Sequence, residues 1–309
     1  MKIDIIGKKY WYFLISLVVI IPGIISLIVF GLNLSVEFTG GSNITLAFPA
    51  KVSNNQVKQI SNIFTQNKIK IQNLNVLGNQ VLIKSQPVDQ SQDLLITQEI
   101  KKSLGNFEQQ SYETIGPTIG SETLRNAISA LIVASILIVL YITWSFRSVP
   151  KPTSSFRFGV CAIIALIHDV LVLIGFFSIF GHFFGVEIDS LFVTAVLTVI
   201  GFSVHDTIVV FDRIRENLRR VGGENFSKVV NDSILQTLDR SLNTSLTVVL
   251  VLFALLIFGG ETIRWFVVAL LIGVISGTYS SIFNASPLLV VWQDLIQKGI
   301  SFKSFKFRK

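Results

Sequence analysis

The chain has 309 residues, 50% of them hydrophobic and 15% charged. A soluble protein carries about 25% charge, so composition argues against an ordinary soluble globule. The net charge of +7 does not describe a nucleic-acid surface, because Lys and Arg gather at the edges of apolar runs, as membrane proteins place them. The one cysteine, Cys161, rules out an internal disulfide and sits in an apolar run that suits a small buried hydrophobe.

The first apolar run, Trp11 to Phe30, follows Lys8 and Lys9. It resembles the charged and hydrophobic regions of a signal peptide. It is long for that role, and residues 31–41 offer no clean small-residue cleavage site, so an uncleaved membrane helix is expected. Pro22-Gly23 interrupts it, which a packed membrane helix tolerates.

A polar segment over residues 31–122 comes next and is long enough for a small domain. Leu32 to Phe38 and Asn43 to Phe48 alternate as strands around Thr39-Gly40-Gly41. Ser53 is placed to cap a helix running through Phe64. Ile69 to Val76 and Gln80 to Ser85 read as a hairpin around Gly78-Asn79. Gln90 to Leu104 reads as a second helix and Phe107 to Ile115 as a last strand. The order β-β-α-β-β-α-β predicts an α+β, ferredoxin-like domain.

Five further spans follow: Leu124 to Trp144, Phe158 to Phe180, Leu191 to Phe211, Leu242 to Phe258 and Phe266 to Trp292. Each is near the roughly 20 residues needed to cross hydrocarbon. The last is longer and holds Gly273, Gly277 and Pro287, which predicts a tilt or kink. The expected fold is thus a polytopic α-helical membrane protein with six transmembrane helices. One small extracytoplasmic domain lies between the first two. The expected divisions are 1–30 (N-terminus and helix one), 31–122 (outer domain), 123–292 (helices two to six, with cytoplasmic loops 145–157 and 212–241) and 293–309 (basic tail).

Six spans put both termini on one side. Lys2, Lys8, Lys9, Arg147, Lys151, Arg157, Arg213, Arg215, Arg219, Arg220, Lys228, Arg240 and the tail residues Lys298, Lys303, Lys306, Arg308 and Lys309 all fall on that side. The opposite short loops hold His182, Glu187 and Glu261, with Arg264 as their nearby base. This bias places both termini in the cytoplasm.

Asp206 is the leading candidate site. From Val193 to Val210 the run is apolar but for His205, Asp206 and short hydroxyl side chains. An ionisable group in a membrane span is a functional candidate, and a carboxylate there can load and release a proton. The competing reading is an interhelical hydrogen bond. His205 points about 100° away along a helix and reads as an interfacial or core polar residue. Asp169, beside His168, is a second buried carboxylate with a weaker claim on the proton path, evenly balanced against structural pairing. Asp212 and Arg213 read as a helix end meeting water. Arg240, just before the fifth span, is either a positive-inside anchor or a cation tuning Asp206. Asn243, Thr244, Ser245 and Thr247 continue a polar stripe that would hydrate the path if it faced Asp206. Gly201, Gly273 and Gly277 allow close helix packing, the last two at GxxxG spacing. No phosphate-binding loop, metal cluster or nucleophile triad is visible, so energy input is ionic, with no cofactor and no metal.

Several segments resemble the SecF family of protein-export membrane subunits, part of the SecD/SecF group in the RND superfamily. They are FTGG (Phe38, Thr39, Gly40, Gly41), YETIGPTIGSE (Tyr112–Glu122), GFSVHDTIVVFDRIRENLR (Gly201–Arg219), SLNTSLT (Ser241–Thr247), FGGETIRWF (Phe258–Phe266) and GVISGTYSSIFNASPLL. The resemblance covers almost the whole chain. It implies a non-enzymatic subunit in a bacterial inner membrane that pairs with SecD, each supplying six helices. It implies work with the SecYEG channel and the SecA ATPase, using proton or sodium motive force to help preproteins emerge. Asp206 matches the family's proton-path carboxylate and Arg240 the basic residue before span five. Membrane lipids are the remaining partner, and nucleic acid is not one. Two alternatives stay open. An RND transporter of lipids or small molecules would carry large outward domains and twelve helices in one chain. A non-conducting scaffold would tolerate neutralisation of Asp206.

Overall fold

The computed structural model describes residues 4–147, 149–150, 153–220 and 225–297. Lys2, Lys151, Lys298, Lys303, Lys306, Arg308 and Lys309, and so most of the expected basic tail, lie outside the described residues. After a 3-10 turn at Ile6–Lys8, the elements in chain order are α1 (Lys9–Phe30), α2 (Val36–Thr39), β1 (Gly41–Ala47), α3 (Asn54–Gln66), β2 (Ile71–Leu77), β3 (Gln80–Ser85), α4 (Gln90–Leu104), β4 (Glu108–Ile115), α5 (Pro117–Ser145), α6 (Ser155–Phe184), α7 (Ser190–Arg220), α8 (Phe226–Phe258), α9 (Arg264–Ser280), a π turn (Ser281–Ala285) and α10 (Ser286–Gln297). The chain divides into two compact units, one of residues 1–33 and 131–309, the other of residues 34–130.

Among the described residues, six helical stretches are long and apolar enough to cross a membrane. They run past the hydropathic spans, and local signals mark three of their starts. α5 starts at Pro117, a residue suited to the first helical position because its missing N–H has no partner there. Asp189 Oδ1 accepts from Phe192 N at 2.8 Å and starts α7. Asn225 Oδ1 accepts from Ser227 N at 3.1 Å and starts α8 sixteen residues before Leu242 (the first hydropathic residue of that span). The last stretch is one continuous helix, Arg264–Gln297, that changes pitch at the π turn. Pro287 lacks an N–H and crowds the carbonyl of Phe283, and the widened turn accommodates both.

α6, α7 and α9 form the buried centre of the helical unit. Small residues bring their backbones together, as packing without a hydrophobic driving force requires. Gly23 of α1 faces Gly175 of α6, and a Cβ built on Gly23 would stand 2.8 Å from Gly175 Cα. One turn on, the hydroxyls of Ser26 and Ser178 share a hydrogen bond of 2.9 Å. Gly273 and Gly277 of α9 pack on Val199 and Ser203 of α7. Phe146, Phe158 and Phe211 close one end of the bundle, with ring centroids 4.8–5.9 Å apart. Lys9 and Asp294 pair at 2.6 Å, joining α1 to α10.

The second unit holds a four-stranded sheet in the order β2-β3-β1-β4, with every neighbouring pair antiparallel. α3 and α4 supply Ile60, Phe64, Ile96 and Ile100 to a core shared with Ile44, Leu46, Val81 and Ile83 of the sheet. Capping boxes start both helices: Ser53 with Gln56, and Asp89 with Gln92. β2 and β3 turn at Gly78, whose φ of +65° suits glycine. One expectation is corrected. Leu32 to Phe38 is not a strand; Ser35 accepts from Glu37 N at 3.3 Å and begins the single helical turn α2, which Gly40 ends.

Candidate functional site

Two constellations stand out, one in each unit. The first is a layer of carboxylates and hydroxyls inside the helical bundle. Asp169, on α6, is 1% exposed. Its Oδ2 accepts from Ser203 Oγ of α7 at 2.5 Å and from Ser280 Oγ of α9 at 2.6 Å. Its Oδ1 accepts from Ser276 Oγ of α9 at 2.8 Å and lies 3.0 Å from His168 Nδ1. Ser276 and Ser280 are one turn apart on α9, so both present hydroxyls to one carboxylate. Three helices thus meet on Asp169, where three hydroxyl donors offset the cost of burying a polar group.

Asp206 is 3% exposed and differently served. Its Oδ2 is buried without a hydrogen-bond partner among the described residues, and so is Ser241 Oγ of α8. Ser203 and Asp206 are three residues apart and share the buried face of α7. Ser245 of α8 bonds Thr278 Oγ1 of α9 at 2.6 Å. The groups acting electrostatically or by hydrogen bonding on the Asp206 carboxylate are His205, Ser245 and Arg240. His205 itself is exposed, off the buried face.

Arg240 makes no ion pair with Asp206 among the described residues. It lines a polar cavity of about 580 Å³ with Thr237, Gln236, Ile208, Asp212, Arg213 and Glu216. Arg213 pairs with Glu216 at 2.6 Å, and Arg215 pairs with Asp212.

The polar stripe on α8 is turned differently from the arrangement in which it would hydrate the path. Asn243, Thr244 and Thr247 are exposed on this chain. Thr244 bonds back to the carbonyl of Arg240 at 2.8 Å, and Thr247 to that of Thr244 at 2.7 Å. The inward residues are Ser241 and Ser245, four apart. The rotation of α8 decides this, and packing against α7 and α9 sets the rotation. Gly201 is likewise exposed, and a Cβ built on it meets nothing within 4 Å, so it spaces no helices within this chain.

The second constellation joins two motifs. Gly40 has φ +71°, and a Cβ there would stand 2.6 Å from Pro117 Cα. A Cβ on Gly120 would stand 2.6 Å from Gly40 N. Gly41, at φ +136°, lies against the carbonyl of Ser85 in the same way. The Phe38–Gly41 motif is therefore seated on the Gly116–Gly120 turn that opens α5. Phe38 is buried and Thr39 Oγ1 bonds Ser35 O at 3.1 Å. Sequence reading found both motifs but not their contact, since each needs the other's glycine to show why neither tolerates a Cβ.

Six apolar helices among the described residues and a buried carboxylate–hydroxyl layer fit a membrane-embedded component of the transport class. Comparison with known proteins narrows this. The family described as "Protein export membrane protein SecD/SecF, C-terminal" matches residues 96–295, and the "SecD/SecF GG Motif" matches residues 25–48. The protein translocase subunit SecF of Thermobaculum terrenum is 48% identical, with 94% of each chain covered. That of Anaerolinea thermophila is 44% identical, again with 94% of each covered. The crystal structure of SecDF, a translocon-associated membrane protein from Thermus, is 31% identical with a TM-score of 0.81, covering 95% of this chain and 39% of that one. The chain belongs to the SecD/SecF protein-export family. Within that family it aligns nearly end to end with SecF translocase subunits and spans about two fifths of the SecDF chain.

Proposed function

We propose that the chain is the SecF half of a SecD–SecF pair in a bacterial inner membrane, coupling ion entry to preprotein export through SecYEG alongside SecA. The SecDF of Bacillus subtilis supports the pairing, because this chain aligns with 38% of its length at 33% identity, leaving room for a SecD half. The termini lie in the cytoplasm on this reading, which the basic loops support. The 34–130 unit then faces outward. Its strand order and its two helices on one face fit a ferredoxin-like domain that meets SecD or the emerging preprotein.

Asp206 is the ion-carrying carboxylate and Arg240 the cation that modulates it. The observation that carries this reading is the buried Oδ2 of Asp206, which has no hydrogen-bond partner among the described residues; Ser241 Oγ of the adjoining helix α8 is buried in the same condition. A buried acceptor without a donor is costly, and a transient proton, cation or water would satisfy it. Asp206→Asn keeps shape and removes titration. In the complex reconstituted with SecD, it should lower ion flux and export at least about tenfold while assembly persists. Normal flux and export with Asn at 206 would instead make this carboxylate a packing group in a non-conducting scaffold.

A further inference from the structure

Asp169 poses a separate question, because its surroundings are the opposite of those of Asp206. Its oxygens contact three hydroxyls and an imidazole, drawn from three helices. Three acceptor directions are taken by hydroxyls and the fourth faces His168 Nδ1, whose Nε2 is buried without a partner among the described residues. A group saturated in this way is suited to holding its neighbours rather than to exchanging with solvent.

What it holds borders Asp206 on two sides. Ser203 stands one turn from Asp206 on the same face of α7. On α9, the bonded pair Ser276 and Ser280 flanks Thr278, which fixes Ser245 of α8. Gly277 lies against Ser203, with its built Cβ 3.0 Å from Ser203 Cβ, so α7 and α9 have no slack between them. Ser280 is also the last residue before the π turn, so Asp169 grips α9 where its pitch changes. The carboxylate of α6 closes a triangle of α6, α7 and α9, and the Ser245–Thr278 bond ties α8 to its α9 corner.

We propose that Asp169 is a positioning residue for ion transfer at Asp206: through Ser203, Ser276 and Ser280 it fixes α7 and α9 so that the Asp206 pocket keeps its shape and its response to pH. This rests on the reading of Asp206 given above. Within about two turns of this layer, the titratable groups on α7 and the helices packed around it are Cys161, His168 and Asp169 on α6, Asp239 and Arg240 on α8, Tyr279 on α9, and His205, Asp206, Asp212 and Arg213 on α7. His168 is held on Asp169, and Tyr279 donates to Tyr12 O at 2.7 Å, with its ring stacked near His168 at 6.4 Å between centroids. Asp239 and Arg240 are exposed. Of these titratable groups, Asp169 is the one on α6 that hydrogen-bonds both α7 and α9.

The test is the pH profile of proton flux in the reconstituted complex with SecD, for the wild type, Asp206→Asn, Asp169→Ala, Asp169→Asn, Ser203→Ala and the Ser276→Ala/Ser280→Ala pair. The serine variants each remove only hydroxyls, so they report even where Asp169→Ala fails to assemble. The expected result is a displaced midpoint, by about half a pH unit or more, and a flux reduced about fivefold in the alanine variants. Serine variants with a wild-type midpoint, beside an inactive Asp206→Asn, would overturn the positioning role and leave the Asp206 reading intact. An active Asp206→Asn would overturn both. Flux as fully lost in Asp169→Asn as in Asp206→Asn, with the serine variants normal, would make Asp169 a carrier and reject the positioning role.

Discussion

Gly273 of α9 lies so close to Val199 of α7 that a Cβ built on it would stand 2.0 Å from Val199 Cγ2. The contact sets the distance between α7, which carries Asp206, and α9, whose Ser276 and Ser280 hold Asp169. Gly273→Ala must therefore part the helices or displace Val199, a cost of about 1–3 kcal/mol for overpacking. The expected outcome is a lower unfolding midpoint in detergent and reduced ion flux. Val199→Ala in the same chain should restore much of both, because it vacates the space the new methyl needs. Additive losses in the double variant would show that the two positions do not meet.

Gly40 and Gly120 make the analogous contact in the other unit. Alanine at 40 faces both a positive φ and the backbone of Pro117. The conformational part alone exceeds about 1 kcal/mol where φ is positive. Hydrogen exchange in the full chain should quicken in peptides covering 36–47 and 117–123, and remain slow in α3. Gly105→Ala is the control: its φ is also positive, at +85°, but nothing lies within 4 Å of its Cβ, so it should cost less. Equal effects at 40 and 105 would remove the packing part of this account.

Much of the second unit was legible because its signals are local. Ser53 and Asp89 announce their helices with a glutamine three residues on, and Gly78-Asn79 announces its hairpin. Leu32 to Phe38 misled because alternation is a weak signal beside a serine able to cap, and Ser35 won. The membrane spans were visible as hydropathy, but their polar extensions at Pro117 and Phe226 were not, since caps and not apolarity begin those helices. In the site, burial of Asp206 and Asp169 could be read from their apolar runs. The shell of Asp169 could not, because its serines come from 34 to 111 residues away. The facing of α8 was equally hidden, since Ser241 and Thr244 differ only by a rotation that packing decides.

Asp93 offers a pH test outside the membrane spans. It is buried in α4 and paired with a neutral amide, Gln109 Nε2, at 3.0 and 3.1 Å to its two oxygens. Burial pushes its carboxyl above the ordinary 3.8, against the weaker pull of Gln109. A raised folded value means that the folded state holds the proton more tightly. Stability from this group is then greatest at acid pH and declines as pH rises from 3.8 through the raised value. Asp93→Asn should therefore slow exchange in α4 and β4 peptides at neutral pH, with the difference shrinking toward acid. An Asn variant that exchanges faster at neutral pH would mean that the charge itself is stabilising there.

Leu77, at the end of β2, is 61% exposed and gives a direct test of which side the sheet unit faces. With Cys161 buried, Leu77→Cys supplies the reactive thiol. A membrane-impermeant maleimide should label it in spheroplasts without lysis. Labelling that waits for lysis would invert the membrane orientation and with it the idea that this unit meets emerging preprotein.

The outward face of α8 carries the last expectation. Asn243 is exposed there among Leu242, Leu246, Leu250 and Val251, all of them exposed too. Thr244 and Thr247 satisfy their hydroxyls on backbone carbonyls, so lipid costs them little. Asn243 makes no hydrogen bond among the described residues, and an unpaired amide in hydrocarbon costs about 2 kcal/mol or more. Arg240 lies one turn away on the same helix and is exposed as well. An apolar face with an unspent amide fits a second helical subunit better than lipid, and SecD is the partner proposed for this chain. A photoreactive residue placed at 243 should crosslink to co-expressed SecD, whereas one at Ile257, farther along the helix, serves to map how far the contact runs. Asn243→Leu should then weaken the pair in detergent by a few-fold in dissociation constant. Crosslinks to lipid alone, with a leucine variant that binds SecD as the wild type does, would leave this face of α8 to the bilayer.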